Sequence, residues 1–181
     1  MSILGAILAG GASRRFGADK AAALIDGQAM MDRVIARIGC QVDEIVICGR
    51  SWGDFPTLAD RPKPGMGPLG GLAAALHYAA TDGFETVLTA GCDLPDLPGD
   101  LVAQLSPAPA VIKGQPLLGL WNSALAASLD DHLATTGDLS MAAWIRKAGA
   151  RQVALDRSIA NINTPGDLET FRQQADRQSS Q

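Results

Sequence analysis

Residues 3–9, Ile-Leu-Gly-Ala-Ile-Leu-Ala, run without a polar side chain and stop at Gly10 and Gly11. A strand covered on both faces reads this way, because neither face meets water. After a loop of glycines and arginines, Met30, Val34, Ile35 and Ile38 recur at helical spacing and end before Gly39. Residues 44–48, Glu-Ile-Val-Ile-Cys, form a short β-branched strand closed by Gly49. Strand, helix, strand is a βαβ unit. The alternation continues, with Pro68 opening a helix through Leu69, Leu72, Ala73 and Leu76, and residues 86–89 forming another buried strand ahead of Gly91, Cys92 and Asp93.

Beyond Pro98 the pattern gives a short helix to Leu105, then a proline-rich stretch at Pro107 and Pro109. Two short strands follow at residues 110–112 and 116–120, split by Lys113, Gly114 and Gln115, a hairpin expected at the sheet margin. Residues 139–148 and 165–174 read as helices and residues 152–155 as a last strand. The prediction is one α/β domain over residues 1–176: Rossmann-like, three-layer α/β/α, with a mostly parallel sheet. Residues 177–181 lack core side chains and are expected to form a flexible tail.

Composition narrows the class further. Of 181 residues, 47% are hydrophobic and 19% charged, with a net charge of −4. That fills a core and leaves no electrostatic footprint for nucleic acid. Aromatics are only 4%, which disfavours base-stacking platforms. No run of about 18 apolar residues predicts a membrane span, and no basic segment precedes the first apolar run. Cys40, Cys48 and Cys92 are odd in number and contain no close CxxC pair. They read as small buried hydrophobes in a reducing cytoplasm rather than as a disulfide or zinc framework.

Ligands of open parallel sheets bind outside the carboxyl ends of the strands, so polar clusters there carry the chemistry. The loop Leu8-Ala9-Gly10-Gly11-Ala12-Ser13-Arg14-Arg15-Phe16-Gly17-Ala18-Asp19-Lys20 is neither a Walker A loop nor a GxGxxG turn. Its glycines nevertheless let backbone N–H groups approach phosphate oxygens, and Arg14, Arg15 and Lys20 supply charge. Solvated turns are the alternative. Asp60, followed by Gly65, Gly67, Pro68, Leu69, Gly70 and Gly71, suits a nucleoside contact before a proline-started helix, or simply a glycine-rich helix entry. Asp93, in Cys92-Asp93-Leu94-Pro95, directly follows the buried strand, where its carboxylate faces the expected cleft, or forms a turn or helix cap. Thr164, Pro165 and Asp167 make a helix start, which leaves Asn161 and Asn163 as contact candidates. His77 and His132 have no partner at metal-ligand spacing and read as structural or solvent-facing; Trp121 and Trp144 read as packing residues.

The spacing LAGGxSxRxGxDK over residues 8–20 resembles the signature of the MobA-type nucleotidyltransferases, in particular the molybdenum cofactor guanylyltransferase family. The Asp60 and Gly-Pro-Leu-Gly-Gly segment, the Cys-Asp-x-Pro element at Asp93 and Asn161-Ile162-Asn163-Thr164-Pro165 resemble the same family in the same order. Related cytidylyl enzymes commonly carry LAAG, so Gly10 with Gly11 leans toward guanylyl transfer. The sequence departs from the family at Cys48, where an asparagine is common, and at Gln115, where a histidine often precedes the proline.

The resemblance implies a nucleotide-diphospho-sugar-transferase-like fold that transfers GMP from GTP to the terminal phosphate of molybdopterin (molybdenum cofactor), releases pyrophosphate and uses Mg²⁺. It implies catalytic roles for Arg15, Lys20 and Asp93, with Asp93 the metal ligand. Leu8, Ala9, Gly10, Gly11, Ala12 and Ser13 would surround the nucleotide with Lys20, Asp60 and Asp93. Gly65, Gly67, Pro68, Leu69, Gly70, Asn161 and Asn163 would face the acceptor. Transient contact with cofactor-synthesis proteins or apo-molybdoenzymes is a further expectation. Other readings are a cytidylyltransferase using CTP, a sugar- or polyol-phosphate nucleotidyltransferase, and a non-catalytic cofactor-delivery domain.

Overall fold

Every residue of strand β1 (Ile3–Leu8) is buried, and its alternating side chains enter two different cores. The computed structural model describes residues 2–10 and 19–179, with side chains as far as residue 174. Leu4, Ala6 and Leu8 pack under helix α2 (Pro68–Asp82), whereas Ile3 and Ile7 pack with helix α1 (Met30–Gly39). Period-two alternation between two apolar layers is what made the run look uniformly hydrophobic.

Strands β4 (Glu44–Cys48) and β6 (Thr86–Gly91) flank β1 in parallel, and a two-residue strand β5 (Thr57–Leu58) adds to β4. Helix α3 (Leu101–Leu105) leads into β7 (Ala110–Ile112) and β8 (Gln115–Asn122). The seven-stranded order is β5-β4-β1-β6-β8-β7-β9, where β9 is Arg151–Val153. The β7–β8 hairpin occupies one side of the sheet but is not its edge: β8 runs antiparallel between β6 and β7, and β9 covers β7 in parallel. Burial explains the depth. Trp121 on β8 is fully buried, and its indole Nε1 donates to Thr89 Oγ1 at 3.1 Å, which in turn donates to the Gly119 carbonyl at 3.2 Å.

The helices cover both faces. Besides α2, one face carries α4 (Ala126–Thr135) and α5 (Met141–Lys147); the other carries α1 and α3. Helix α4 was not predicted, and His132 within it is buried with its ring centroid 5.6 Å from that of Trp144. His77 pairs with Asp130 at 2.7 Å, also on α4. A small hairpin of β2 (Leu24–Ile25) and β3 (Gln28–Ala29) packs Ile25, together with Met30 at the start of α1, against Ile162 and Leu168, the last on helix α6 (Pro165–Ser179). Cys48 is buried and Cys92 half-buried, but Cys40 is exposed, contrary to expectation, because it caps the outer end of α1. No helix among the described residues is long and apolar enough to cross a membrane.

Candidate active site

The carboxyl ends of β1, β4 and β6 open into a cleft of about 920 Å³. Two glycines shape its mouth. Gly49, just past β4, has φ +88°, and a Cβ there would stand 2.5 Å from the Cα of Gly10. The β1 and β4 ends therefore approach as only glycine allows. The Ala9 N–H donates to the Cys48 carbonyl at 3.0 Å and the Gly49 N–H to that of Leu58 at 2.9 Å, which extends the ladder to the cleft edge.

Across this mouth Lys20 and Asp93 meet. Asp19 precedes a single 3-10 turn (Lys20–Ala22) and caps it by accepting from the Ala21 N–H at 3.1 Å. Lys20 thereby leaves the first turn toward the end of β6, where its Nζ lies 2.9 Å from Asp93 Oδ2 and donates to Asn163 Oδ1 at 3.1 Å. Asn163 Nδ2 donates to Asn161 Oδ1 at 2.8 Å, so both asparagines join the lysine. The Ile162 N–H bonds the Asp93 carbonyl at 3.0 Å and ties that strap to the β6 loop. Asp167 accepts from the Asn163 and Thr164 N–H groups at 2.9 and 2.8 Å, and these bonds, that from Asn163 first, hold its carboxyl below the usual range.

On the opposite wall, Asp60 Oδ2 accepts from the Gly65 N–H at 3.2 Å. Gly65, Gly67 and Pro68 line the cleft where α2 begins, so the positive end of a fifteen-residue helix faces it. Leu69 is fully buried in the core behind that rim, and Gly70 sits where a Cβ would stand 2.9 Å from the Asp60 Cβ. Leu8 and Gly10 line the cleft, while Ala9 is buried beside them. Gly11, Ala12, Ser13 and Arg15 lie outside the described residues.

Sequence reasoning passed over Arg50 as a working residue. It lines the cleft after β4 and grips Asp19 with both arms of its fork, Nη1 to Oδ1 at 2.7 Å and Nη2 to Oδ2 at 2.6 Å. That bond holds the Asp19 carboxyl below its ordinary value and raises the guanidinium. An arginine straight after a strand-end glycine was the available signal; its partner, 31 residues earlier, was not visible. Burial, with Asp93 adding a smaller effect, pushes the nearby Cys92 thiol up to about 11, and burial pushes Cys48 up to about 12, which disfavours the thiolate at both.

No group of three or more His, Cys, Asp or Glu side chains that could cage a metal occurs among the described residues. Magnesium does not need one: it takes oxygen ligands, keeps several waters and shares substrate phosphates. Asp93, a hard carboxylate lining the cleft with its neutralising lysine alongside, fits that donor chemistry.

A cation, a carboxylate and a helix N-terminus thus converge at the strand ends of an open α/β sheet, where ligands of such sheets bind. The chain belongs to the MobA-like NTP transferase family, whose domain model matches residues 5–153. It is 37% identical over 179 residues to the molybdenum cofactor guanylyltransferase of Acidiphilium cryptum, covering 90% of each chain. With the protein of that name from Rhizobium leguminosarum bv. trifolii it shares 33% over 187 residues, covering 92% of this chain and 90% of the relative. Its fold is similar to that of molybdopterin-guanine dinucleotide biosynthesis protein A from Archaeoglobus fulgidus, with a TM-score of 0.78 over 96% of this chain and 99% of that one at 20% identity. The same fold serves 2-C-methyl-D-erythritol 4-phosphate cytidylyltransferase from Thermus thermophilus, with a TM-score of 0.62 at 14% identity, covering 93% and 97%.

Proposed function

We propose that this protein transfers GMP from GTP to the terminal phosphate of molybdopterin, releasing pyrophosphate and forming the guanine dinucleotide cofactor. A phosphate oxygen of the acceptor forms a new bond to the α-phosphorus as the bond to the β-phosphate oxygen breaks. The acceptor is already anionic at neutral pH, so the reaction needs little general-base help. The obstacle is bringing two polyanions together, which is solved by fixed cations and donors.

The observation that carries this reading is the meeting of Lys20 and Asp93, 73 residues apart, at 2.9 Å in one cleft. Lys20 counters charge at the α-phosphate and leaving group. Asn163 holds the ammonium from the acceptor side, and Asp60 with the Leu8 edge borders the nucleoside. Asp93 would hold Mg²⁺, which when bound would neutralise phosphate charge and favour in-line geometry. Arg15 would add charge to the triphosphate. Three free thiols agree with a reducing compartment, the cytoplasm, for this work.

The test incubates the protein with Mg²⁺, molybdopterin and each nucleoside triphosphate separately, follows pyrophosphate and identifies the dinucleotide by mass. The guanine dinucleotide is the expected product. Preference for CTP would make it a cytidylyltransferase, and tight nucleotide binding without pyrophosphate release would make it a delivery domain.

A further inference from the structure

Lys20 is a long, flexible side chain asked to hold one position between Asp93 and Asn163, yet the 3-10 turn that presents it is only three residues long. Such a turn has little stiffness of its own. What fixes it is Asp19, and what fixes Asp19 is Arg50. The guanidinium makes two parallel bonds to the carboxylate and lies 5.3 Å from the ring centroid of Trp52. Trp52 is anchored in turn, its Nε1 donating at 2.7 Å to Asp32 Oδ1 in the first turn of α1. A continuous line of contacts therefore runs from α1 through Trp52, Arg50 and Asp19 to Lys20 and ends on Asp93.

We propose that Arg50 is a positioning residue of the transfer reaction, holding Lys20 at the reacting phosphates by clamping Asp19 to the end of β4. The inference rests on the proposed nucleotidyl transfer. An arginine suits the task because its planar fork fixes orientation as well as charge, and because its flat face stacks on an aromatic ring; a lysine does neither. The competing role is direct contact with the nucleotide, since Arg50 lines the cleft and its Nε is buried without a hydrogen-bond partner among the described residues. The two roles separate kinetically. A positioning residue acts through Lys20 on kcat, whereas a binding contact shared by ground and transition states acts on KM.

The experiment compares wild type with Arg50→Ala, Arg50→Lys and Asp19→Asn in the GTP and molybdopterin assay. In parallel, acetic anhydride labelling followed by mass spectrometry reads the reactivity of Lys20 relative to exposed Lys113. We expect Arg50→Ala to lower kcat at least tenfold while KM for GTP changes less than threefold, and to raise Lys20 labelling several-fold as the ammonium leaves its pair with Asp93. Arg50→Lys should recover only part of kcat, and adding Arg50→Ala to Asp19→Asn should cost little more. The proposal is overturned if Lys20 labels at the wild-type rate in Arg50→Ala, if KM rises tenfold at constant kcat, or if Arg50→Lys turns over like wild type. Should the wild-type protein transfer no nucleotide, the proposed reaction fails and the labelling comparison still decides the clamp.

Discussion

Gly91 is the last residue of β6, and a methyl group there would meet one thing it cannot tolerate. Its Cβ would stand 2.5 Å from Asp93 Oδ1, while the next neighbour, Leu117 Cδ1, lies at an acceptable 3.4 Å. Ordinary contact begins near 3.4 Å, so in Gly91→Ala Asp93 Oδ1 must retreat by about 0.9 Å, which displaces the carboxylate from the position in which its Oδ2 meets Lys20. Folding is hardly affected. Alanine recovers about 0.5–1 kcal/mol of backbone entropy in a strand, and weakening a partly exposed ion pair removes about as much. Catalysis is another matter, because a misplacement of about 1 Å can cost about 10²-fold, or about 2.7 kcal/mol of barrier. We expect urea midpoints within about 1 kcal/mol of wild type at unchanged m, and kcat for GMP transfer reduced about a hundredfold. A variant keeping more than about half of wild-type kcat would show that the carboxylate's position does not govern the reaction. A collapse of the midpoint would show that backbone, rather than the side chain, had yielded.

Lys20→Ala should lower kcat by about 10²–10³ with a smaller change in KM for GTP, because the charge acts mainly in the transition state; steady-state kinetics check this. Asp93→Ala should abolish Mg²⁺-dependent turnover yet leave the circular dichroism spectrum and urea midpoint near wild type, and a Mg²⁺ titration of activity tests it. Gly49→Ala combines φ +88° with a 2.5 Å approach to backbone, whereas Gly114→Ala has φ +81° and open space. The second should cost about 1–2 kcal/mol and the first clearly more in urea unfolding; equal losses would refute the close-approach argument. Asp167 titrates below its ordinary value, so its stabilisation of the α6 start is present above the unfolded pKa of 3.8 and fades as pH falls through the lower folded one. Amide protection at Asn163 and Thr164 should therefore exceed that of Asp167→Asn at neutral pH and converge with it in acid.

The residues that made the fold legible were those whose pattern is local. β1 and the apolar face of α1 announce themselves within ten residues each, as do Gly49 and Pro68 as boundaries. Helix α4 escaped because its inward face includes His132, which looks polar in sequence and is buried in the structure. The position of β8 escaped because pairing β6 with residues some thirty positions later is a long-range choice that alternation does not encode. Strands β2, β3 and β5 have two residues each, too few to show a period. At the site, Lys20, Asp60 and Asp93 were legible from strand-end placement and resemblance. The Arg50 clamp was not, because a salt bridge between loops leaves no periodic trace.

β8 descends where its neighbours climb, so its opening residues, rather than its closing ones, arrive at the working rim. Leu117, the third residue of β8, reaches the cleft for that reason. Substituting Leu117 would reshape its bank of the cleft while the bank built from the ends of β1, β4 and β6 stayed as it was. A scaffold arranged in this way can exchange the guest on one side and keep its chemistry on the other.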